Sequence, residues 1–403
     1  MKYDALIIGS GPAGGTAAAL LAKAGWSVAV VEKAKFPRRK VCGEFISATS
    51  IPLFHELGIA QPFFELAGPE VRKVGLFAGE TVLNSAMPRP RNSTEIWGRA
   101  LGREHLDTLL LTGAVAAGAQ VWQPCTAMEL RRDNESFICK IAAGEAGKEL
   151  RARVVIAAHG SWERGALPTQ TIYRAHRPSD MFAFKAHFRE CDLPAGLMPL
   201  VVFPGGYGGM VHSDGERVSF SSCIRRDYLQ RIRRELPGAK AAEAVLHHIK
   251  VSCRGVCEAL SHARLENTWL SAGPIRPGFR KRYLQGIFLL GNAAGEAHPI
   301  VAEGISMAMQ SAWLLCERLI ARQEEVLTGR AIEAVERDYS SVWNASFAPH
   351  IHAAALFAHL AMRPGTASML LPILKLFPEI LTLGAKLSGK AKQVITVPHP
   401  QIS

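Results

Sequence analysis

Three glycines near the start of the chain have the spacing of a phosphate-binding turn. Gly9, Gly11 and Gly14 follow a short apolar segment and precede an Ala- and Leu-rich stretch, and a second apolar segment ends at Glu32. Gly9 permits a tight turn, Gly11 lets the backbone approach a pyrophosphate, and Gly14 lets a helix pack closely on a sheet. The carboxylate of Glu32 is placed to accept hydrogen bonds from the ribose hydroxyls of an adenosine. This order predicts a strand–helix–strand unit that binds a dinucleotide.

A second glycine-bearing loop lies far along the chain. Residues 286–290 form a short apolar segment, which is typical of a strand buried on both faces. Small residues follow it, including Gly291 and Gly295, and Gly304 then begins a long predicted helix over 304–323. Because the free N–H groups at a helix start favour negative charge, this loop is a second candidate ligand contact.

The bulk properties of the chain indicate a two-lobed soluble enzyme. Its 403 residues exceed the size at which single cores usually stop growing. The eight cysteines show no repeating short spacing, which favours a reducing compartment, and we expect no metal site. The net charge is +12, with five arginines in the segment 225–234. This cluster is a solvated helix face or attracts anions, such as a reduced nicotinamide cofactor, an acyl-carrier protein or an acidic lipid surface. We expect no nucleic-acid partner, since the chain shows no recognised nucleic-acid-binding module.

The C-terminal segment 353–387 is rich in Leu, Ala and Ile but contains charged residues and prolines. No uncharged run in it reaches the roughly 20 residues that a spanning helix requires. The segment is therefore predicted to be a helical cap on the substrate lobe, or alternatively a peripheral membrane contact. The chain begins almost at once with a predicted strand and shows no signal-peptide pattern. We expect a cytoplasmic protein, with membrane association as the alternative.

These motifs together resemble a known group of flavoproteins. The first glycine turn with Glu32, the segment 36–44, Arg103 with Asp107, and the segment 291–305 are similar to the single-FAD superfamily that contains aromatic hydroxylases, geranylgeranyl reductases and flavin-dependent halogenases. The resemblance extends from residue 2 to about residue 325 and implies an FAD-dependent oxidoreductase, with NAD(P)H as a transient reductant. The positions expected at FAD are Gly9, Gly11, Pro12, Ala13, Gly14, Glu32, Lys33, Arg39, Cys42, Gly43, Arg103, Ala127, Gly291, Asn292, Gly295, Pro299, Gly304 and Ile305.

The resemblance implies an α/β fold with a discontinuous Rossmann-like FAD/NAD(P)-binding lobe, residues 1–165 and 276–325. Alternating segments predict a β-rich substrate lobe with a mixed or antiparallel sheet over 166–275. Residues 326–403 are predicted to form a helical C-terminal region.

Several departures from the superfamily pattern affect the expected reaction. Asn292 and His159 each stand where relatives carry Asp, and the change at His159 puts routine use of reduced nicotinamide in question. The segment 203–210 lacks both the paired tryptophans of halogenases and the Tyr-x-Trp-x-Phe-Pro of typical geranylgeranyl reductases. Halogenation is therefore disfavoured, and a standard prenyl reductase is less favoured but stays open.

Four side chains are candidates for chemistry beside the flavin, each with a structural alternative. Glu303 carries a proton, contacts substrate, or is a structural acid at a helix start. His298 is a general acid or a hydrogen-bonded loop residue. Cys42 is a small apolar neighbour of the ring or a thiolate partner. Tyr207, between glycines, reaches the pocket or fills it.

Three functions are consistent with the sequence. The favoured one is a monooxygenase that hydroxylates an apolar or aromatic biosynthetic intermediate. The second is a reductase or dehydrogenase of a carbon–carbon bond in a lipid-like substrate, free or bound to a carrier protein. The third is a non-enzymatic FAD-binding or membrane-docking protein.

Overall fold

Strands and helices alternate along the chain, and the strands assemble into two large sheets. The computed structural model describes residues 1–89, 97–142, 147–161, 165–170, 175–390 and 395. The strands are β1 Lys2–Ile8, β2 Val28–Val31, β3 Phe45–Ile46, β4 Lys73–Ala78, β5 Thr81–Ala86, β6 Arg99–Ala100, β7 Gln120–Trp122, β8 Thr126–Asp133, β9 Ser136–Ala142, β10 Lys148–Ala157, β11 Met181–Arg189, β12 Leu197–Phe203, β13 Gly206–His212, β14 Val218–Arg225, β15 Arg264–Leu265, β16 Leu270–Ile275, β17 Gly278–Phe279, β18 Tyr283–Leu284, β19 Ile287–Leu289 and β20 Gly295–Glu296. The helices are α1 Pro12–Lys23, α2 Ile51–Leu57, α3 Ala60–Leu66, α4 Arg103–Ala116, α5 Arg226–Glu235, α6 Ala241–Ser252, α7 Arg254–Ala259, α8 Gly304–Ala321, α9 Gln323–Leu327, α10 Ile332–Ala361, α11 Pro364–Leu376 and α12 Glu379–Ala385.

The first sheet, here called the cofactor sheet, has the order β18-β19-β10-β1-β2-β7. Strand β9 pairs with the N-terminal half of β10, and β8 pairs with β9. Strands β19, β10, β1, β2 and β7 run parallel, as the sequence predicts for a doubly wound unit. Their carboxyl ends therefore meet at one edge of the sheet. In such sheets ligands bind in the crevice outside that edge, which is where both glycine loops lie.

Small residues bring the helices close to the cofactor sheet and to each other. A Cβ atom added at Gly15 of α1 would lie 2.9 Å from the Cβ of Leu110 in α4. Helix α8, almost wholly buried, packs against the other side of α1. The predicted helix 304–323 is thus confirmed to within two residues at its end.

The second sheet has the order β15-β11-β14-β13-β12-β4-β5, with β16 paired to β11. Its strands are antiparallel except for the parallel pair β12 and β4. Residues 73–86 are predicted from the sequence to lie in the cofactor lobe, but β4 and β5 lie in this second sheet. The reason is that β4 finds its hydrogen-bonding partner in β12, more than a hundred positions later in the chain, which no local pattern indicates.

The C-terminal helices contact both large sheets. Helix α10 packs on the cofactor sheet, where the hydroxyl of Tyr339 donates a hydrogen bond to the Leu289 carbonyl at 2.9 Å. Helices α11 and α12 then return over the second sheet, and the Thr382 hydroxyl donates to the Ala86 carbonyl at 2.6 Å. The C-terminal region is helical, as predicted, in α10, α11 and α12, the last of which ends at Ala385. Of the residues after 390, only residue 395 is described.

Candidate functional site

The first glycine loop has the geometry expected for a phosphate site. Gly9 adopts a φ of +96°, which favours glycine, and its N–H donates to the Val31 carbonyl at 2.8 Å. A Cβ atom at Gly14 would lie 1.9 Å from the Gly9 carbonyl oxygen, so a larger residue cannot occupy that position without moving the turn. Helix α1 begins after Gly11 with Pro12 in its first turn and no side chain capping it. The free N–H groups of this turn are therefore available to an anion.

Glu32 lies at the end of β2 and is almost fully buried. One carboxylate oxygen accepts from the Ser10 N–H at 2.9 Å, and the other accepts from the Ala34 N–H at 2.8 Å. These bonds fix the side chain at the wall of the cavity. The oxygen that faces Ser10 also accepts from the Ser10 hydroxyl at 3.2 Å and from Arg38 at 3.4 Å. Because a carboxylate oxygen can accept about two hydrogen bonds, capacity for a ribose hydroxyl remains on the oxygen that accepts from Ala34.

The basic residues of the following loop divide between the cavity and its exterior. Arg38 and Lys40 line the cavity, whereas Arg39 does not line it and donates to the Thr268 carbonyl at 3.3 Å. Arg39, which the sequence analysis expects at FAD, is thus placed away from it in this structure. Burial, followed by the nearby positive charges of Arg38 and Arg103, lowers the pKa of Lys40.

Arg103 begins α4 and lies beside Gly11. Its guanidinium donates two hydrogen bonds of 2.7 Å to the carboxylate of Asp107. Burial by itself would lower the pKa of Arg103, but the negative charge of Asp107 outweighs it and raises the pKa. This pair keeps a positive charge in place at the cavity wall near the predicted pyrophosphate position.

The second glycine loop lies beside the first and lines the same cavity. Gly291 has a φ of +56°, and Asn292 donates from its amide to Glu296 at 3.2 Å. Helix α8 begins at Gly304 with no side chain capping it. Two uncapped helix starts, those of α1 and α8, therefore line one cavity.

Most of the residues expected at FAD line this cavity. They are Gly9, Gly11, Pro12, Ala13, Glu32, Lys33, Cys42, Gly43, Arg103, Ala127, Gly291, Asn292, Gly295, Pro299, Gly304 and Ile305. Gly14 lies beneath the turn rather than at the cavity surface, and its role is the close packing described above.

The residues present fit FAD on three structural grounds. The crowded Gly9–Gly14 turn leaves space for a ligand only on its outer side. The uncapped starts of α1 and α8 both supply N–H groups to the cavity. The Nε of Arg38 is buried and has no hydrogen-bond partner within the described part of the chain. Arg38 lines the cavity, where a phosphate oxygen of FAD would accept a hydrogen bond from this nitrogen.

Glu303 is placed differently from the expectation for a proton carrier. It is buried, does not line the cavity, and accepts a hydrogen bond from Lys390 at 3.0 Å. Burial raises the pKa of Glu303, against the opposing charge of Lys390. Lys390 also donates to the Val301 carbonyl and itself lines the cavity. The geometry thus assigns Glu303 the structural alternative, with Lys390 tying the tail to the start of α8.

Tyr207 and His298 form a hydrogen-bonded pair in the cavity wall. The Tyr207 oxygen lies 3.2 Å from Nδ1 of His298. Burial, with smaller contributions from Cys223 and Glu296, raises the pKa of Tyr207 well above 10. Burial and the nearby His359 lower the pKa of His298 to about 4. At neutral pH, Tyr207 is therefore protonated and His298 is neutral, so a hydroxyl proton and an imidazole lie side by side in the cavity wall without a buried charge.

Cys42 is half-buried and lies in the cavity wall. Its sulfur accepts from the N–H of Glu44 at 3.4 Å, and it also contacts Arg103. The structure is consistent with both predictions for Cys42, an apolar neighbour of the flavin ring and a thiolate partner, because its side chain contacts both the cavity and the guanidinium of Arg103.

Glu44 holds together the two lobes through a buried cluster that the sequence analysis does not include. Its carboxylate accepts a hydrogen bond from Lys185 and another from Nε2 of His187 at 2.8 Å. All three side chains are fully buried. Burial opposes ionisation, but the charge of Lys185 and the His187 hydrogen bond lower the pKa of Glu44 to about 2. The available signal is that Lys185 and His187 are two residues apart in a strand, and so share one face of β11.

His159 lies in the cavity wall where superfamily members carry Asp. Its Nε2 is 2.9 Å from the Thr169 hydroxyl, and its Nδ1 is 3.0 Å from the Gly160 carbonyl.

Within the described residues, Glu104, His105 and Asp214 have the spacing of metal ligands. The guanidinium of Arg217 donates to both carboxylates, at 2.7 and 2.6 Å, and supplies the positive charge at this cluster.

The cavity itself has a volume of about 880 Å³ and continues from the glycine loops toward the second sheet. There its walls are largely aliphatic and come from β4, β12, α11 and α12, including Leu76, Leu200, Leu371, Leu374 and Leu381. A volume of this size is typical of a cofactor and small-molecule site.

A dinucleotide crevice beside an apolar cavity between two lobes defines an FAD-dependent oxidoreductase. The chain belongs to the family described as FAD binding domain, which matches residues 2–345. Relatives by sequence include conditioned medium factor receptor 1 of Dictyostelium discoideum, 24% identical and covering 86% of this chain and 68% of the relative. Digeranylgeranylglycerophospholipid reductase 1 of Methanopyrus kandleri is 29% identical, covering 85% of this chain and 83% of the relative.

Solved structures with the same fold include a flavin-dependent brominase and a probable FAD-dependent monooxygenase. The brominase is 18% identical, with a TM-score of 0.77 and coverage of 97% of this chain and 94% of the other. The monooxygenase, pqsL of Pseudomonas aeruginosa, is 17% identical, with a TM-score of 0.69 and coverage of 92% and 100%. At these identities the likeness shows the shared fold, and the reaction has to be argued from the site.

Proposed function

We propose that this FAD-dependent oxidoreductase acts on a lipid-like substrate and saturates a carbon–carbon double bond in it. The observation that carries the proposal is the aliphatic half of the cavity, which continues from the FAD crevice to a wall made by β4, α11 and α12. A long apolar chain placed there buries its surface against Leu76, Leu371 and Leu374 while one end reaches the flavin side. The Methanopyrus kandleri relative, named as a reductase of a digeranylgeranyl lipid, supports the same substrate class.

The chemistry divides between cofactor and protein. FAD, bound in its reduced form, supplies a hydride and so two electrons. Saturation of a double bond also needs a proton at the second carbon, and Tyr207 holds one at the cavity wall. Tyr207 recovers its proton through the His298 hydrogen bond, since imidazole can accept at one nitrogen and donate at the other. The aliphatic wall excludes water from the reacting carbons.

Hydroxylation, which the sequence analysis ranks first, is the second candidate. The same closed, apolar cavity would protect an oxygen-insertion reaction from water. We rank reduction ahead of it because the cavity suits a long aliphatic substrate, and the hydrogen-bonded Tyr207 and His298 in its wall support the protonation step that saturation needs.

The test is an anaerobic reaction of the purified yellow holoenzyme. The enzyme is reduced with NADH, NADPH or dithionite in separate samples and mixed with a digeranylgeranyl glycerophospholipid. Reduction predicts product molecules that have gained two hydrogen atoms per saturated bond, detected by mass spectrometry without oxygen. Product that forms with dithionite but with neither NADH nor NADPH would assign the supply of electrons to a separate protein. This result would agree with His159 standing where the superfamily pattern has Asp.

The control is Tyr207→Phe, which keeps the aromatic ring and removes the donated proton. We expect it to bind FAD normally and to lower the rate of product formation by about 100-fold. A product that gains one oxygen atom, and forms only in air, would overturn reduction in favour of hydroxylation.

A further inference from the structure

The outer face of helices α11 and α12 is apolar and open to solvent. We define this tail face by its exposed side chains in residues 369–387: Met369, Leu370, Ile373, Leu376, Phe377, Ile380, Leu383 and Leu387. Of these, Leu370, Ile373, Ile380, Leu383 and Leu387 also line the cavity, whereas Met369, Leu376 and Phe377 do not. These are eight of the 17 large hydrophobic residues that are exposed in the described part of the chain, so exposure is concentrated here. Met369 and Leu376, two helical turns apart, are 75% and 72% exposed. Exposed apolar patches of this kind mark interaction surfaces.

The inner face of the same two helices lines the cavity. Leu371, Leu374 and Leu381 pack with Leu76 and Val202 of the second sheet. Because five of the exposed residues of the tail face also line the cavity, the exposed apolar surface is continuous with the aliphatic cavity wall. An apolar molecule that passes from the tail face into the cavity therefore contacts aliphatic side chains such as Ile373 and Leu383.

The charges around the tail face complement an anionic surface. Arg363, Lys375 and Lys386 are exposed, while Glu379 is the one acidic residue in the sequence 363–390. Each Lys or Arg near an anionic lipid surface strengthens binding about fivefold. A protein partner would have to match an aliphatic patch of unusual density, whereas a bilayer offers acyl chains and phosphate groups together.

The length of the helices favours a position within the lipid interface. Helix α11 has 13 residues and is about 20 Å long, shorter than the hydrocarbon core of a bilayer. In the described part of the chain, no helix combines the length and apolar character needed to cross a membrane.

We propose that the tail face docks in the surface of an anionic lipid bilayer, and that the substrate enters the cavity from the acyl layer between α11 and α12. The docking stands on the tail face itself. The route of entry rests on the lipid-like substrate of the proposed function.

The docking test is flotation of the holoenzyme with phosphatidylcholine vesicles, with and without phosphatidylglycerol. Wild type is expected to float with the anionic vesicles. The double substitution Met369→Glu with Leu376→Glu should weaken binding at least about tenfold, because it places two carboxylates in the interface. The matched control is Val115→Glu with Val251→Glu, at exposed valines of α4 and α6, and should bind like wild type. Equal loss in both double variants, or no flotation of wild type, overturns the docking.

A second pair of variants tests the charges. Lys375→Gln with Lys386→Gln should reduce affinity for anionic vesicles about 25-fold, as expected for two lost charges. Arg233→Gln with Arg234→Gln, on the basic helix α5, should leave it unchanged. The reverse result would assign binding to α5 and overturn the tail face. Light scattering adds a further outcome: a wild-type dimer that becomes monomeric in the Met369/Leu376 variant and does not bind vesicles assigns this face to a second copy.

The route of entry is tested with the same lipid substrate in two settings. The Met369/Leu376 variant, whose substituted residues do not line the cavity, should turn over substrate in detergent micelles at the wild-type rate and substrate in vesicles at least about tenfold more slowly. Equal rates in both settings overturn entry from the bilayer. If wild type floats with vesicles and reduces substrate in neither setting, the proposed function fails while the docking stands.

Discussion

The buried ion pair between Glu44 and Lys185 makes a sharp prediction about stability. The pair joins the FAD-side loop to strand β11, and both side chains have no exposed surface. Lys185→Met keeps most of the apolar stem but leaves a carboxylate buried without its cation. His187, Ser213 and the Arg103 N–H still donate to that carboxylate, so its hydrogen bonding is reduced rather than lost.

The magnitude follows from the pKa of Glu44. Burial opposes its charge, yet Lys185 and His187 lower its pKa from 4.5 to about 2. Such a fall corresponds to about 3 kcal/mol of stabilisation. Because the folded pKa lies below the unfolded one, this stabilisation is present above about pH 4.5 and is lost as the pH falls toward 2. Removing one partner of a buried pair costs about 3–5 kcal/mol in other proteins, which agrees. We expect Lys185→Met to lower the free energy of unfolding by about 3 kcal/mol at pH 7.

The assay is urea unfolding of the holoenzyme, followed by circular dichroism and by the fluorescence of released FAD. The difference between wild type and Lys185→Met should narrow as the pH falls from about 4.5 toward 2, because the unfolded chain binds a proton on Glu44 over this range while folded wild type still holds the carboxylate. Lys140→Met, which removes an exposed lysine paired to Glu129, is the control and should cost less than about 1 kcal/mol. Adding Glu44→Gln to Lys185→Met should recover at least half of the loss, since it removes the unpaired charge. A loss under about 1 kcal/mol for Lys185→Met, or no recovery in the double variant, would refute the argument.

The remaining predictions concern the FAD turn, the proton donor and the tail. Gly14→Ala should weaken FAD retention at least about tenfold in equilibrium dialysis, because its Cβ would overlap the turn, whereas Gly365→Ala, which meets open space, should not; equal retention would contradict the steric argument. The pH profile of the rate of product formation should show no ionisation of the Tyr207 hydroxyl between pH 5 and 9, because burial raises its pKa well above 10. A fall in rate on the basic side near neutral pH that disappears in Tyr207→Phe would contradict this. Lys390→Ala should destabilise the fold by about 3 kcal/mol, measured by urea unfolding, and restoring neutrality with Glu303→Gln should recover part of the loss.

The sequence alone determines the local units of the FAD site. The strand, glycine turn and helix at Gly9–Gly14 depend on residues close in the chain, and the same holds for the helix start at Gly304. Their glycines are required by backbone geometry that a Cβ atom would block, as at Gly14. For that reason the Rossmann-like lobe and the two loops that line its cavity could be predicted from type and spacing.

Tertiary structure decides which side chains meet across the molecule. Glu44 pairs with Lys185 over 141 positions, and Glu303 with Lys390 over 87. Strand β4 joins the second sheet because its hydrogen-bonding partner, β12, lies far away in sequence. Helices α11 and α12 complete the cavity wall because the apolar residues they pack against also lie far away in sequence. Periodicity reports which face of an element is apolar, but it carries no information about the element that covers this face. The FAD crevice is therefore readable from local sequence, while the substrate cavity and its charged supports are set by the packing of the two lobes.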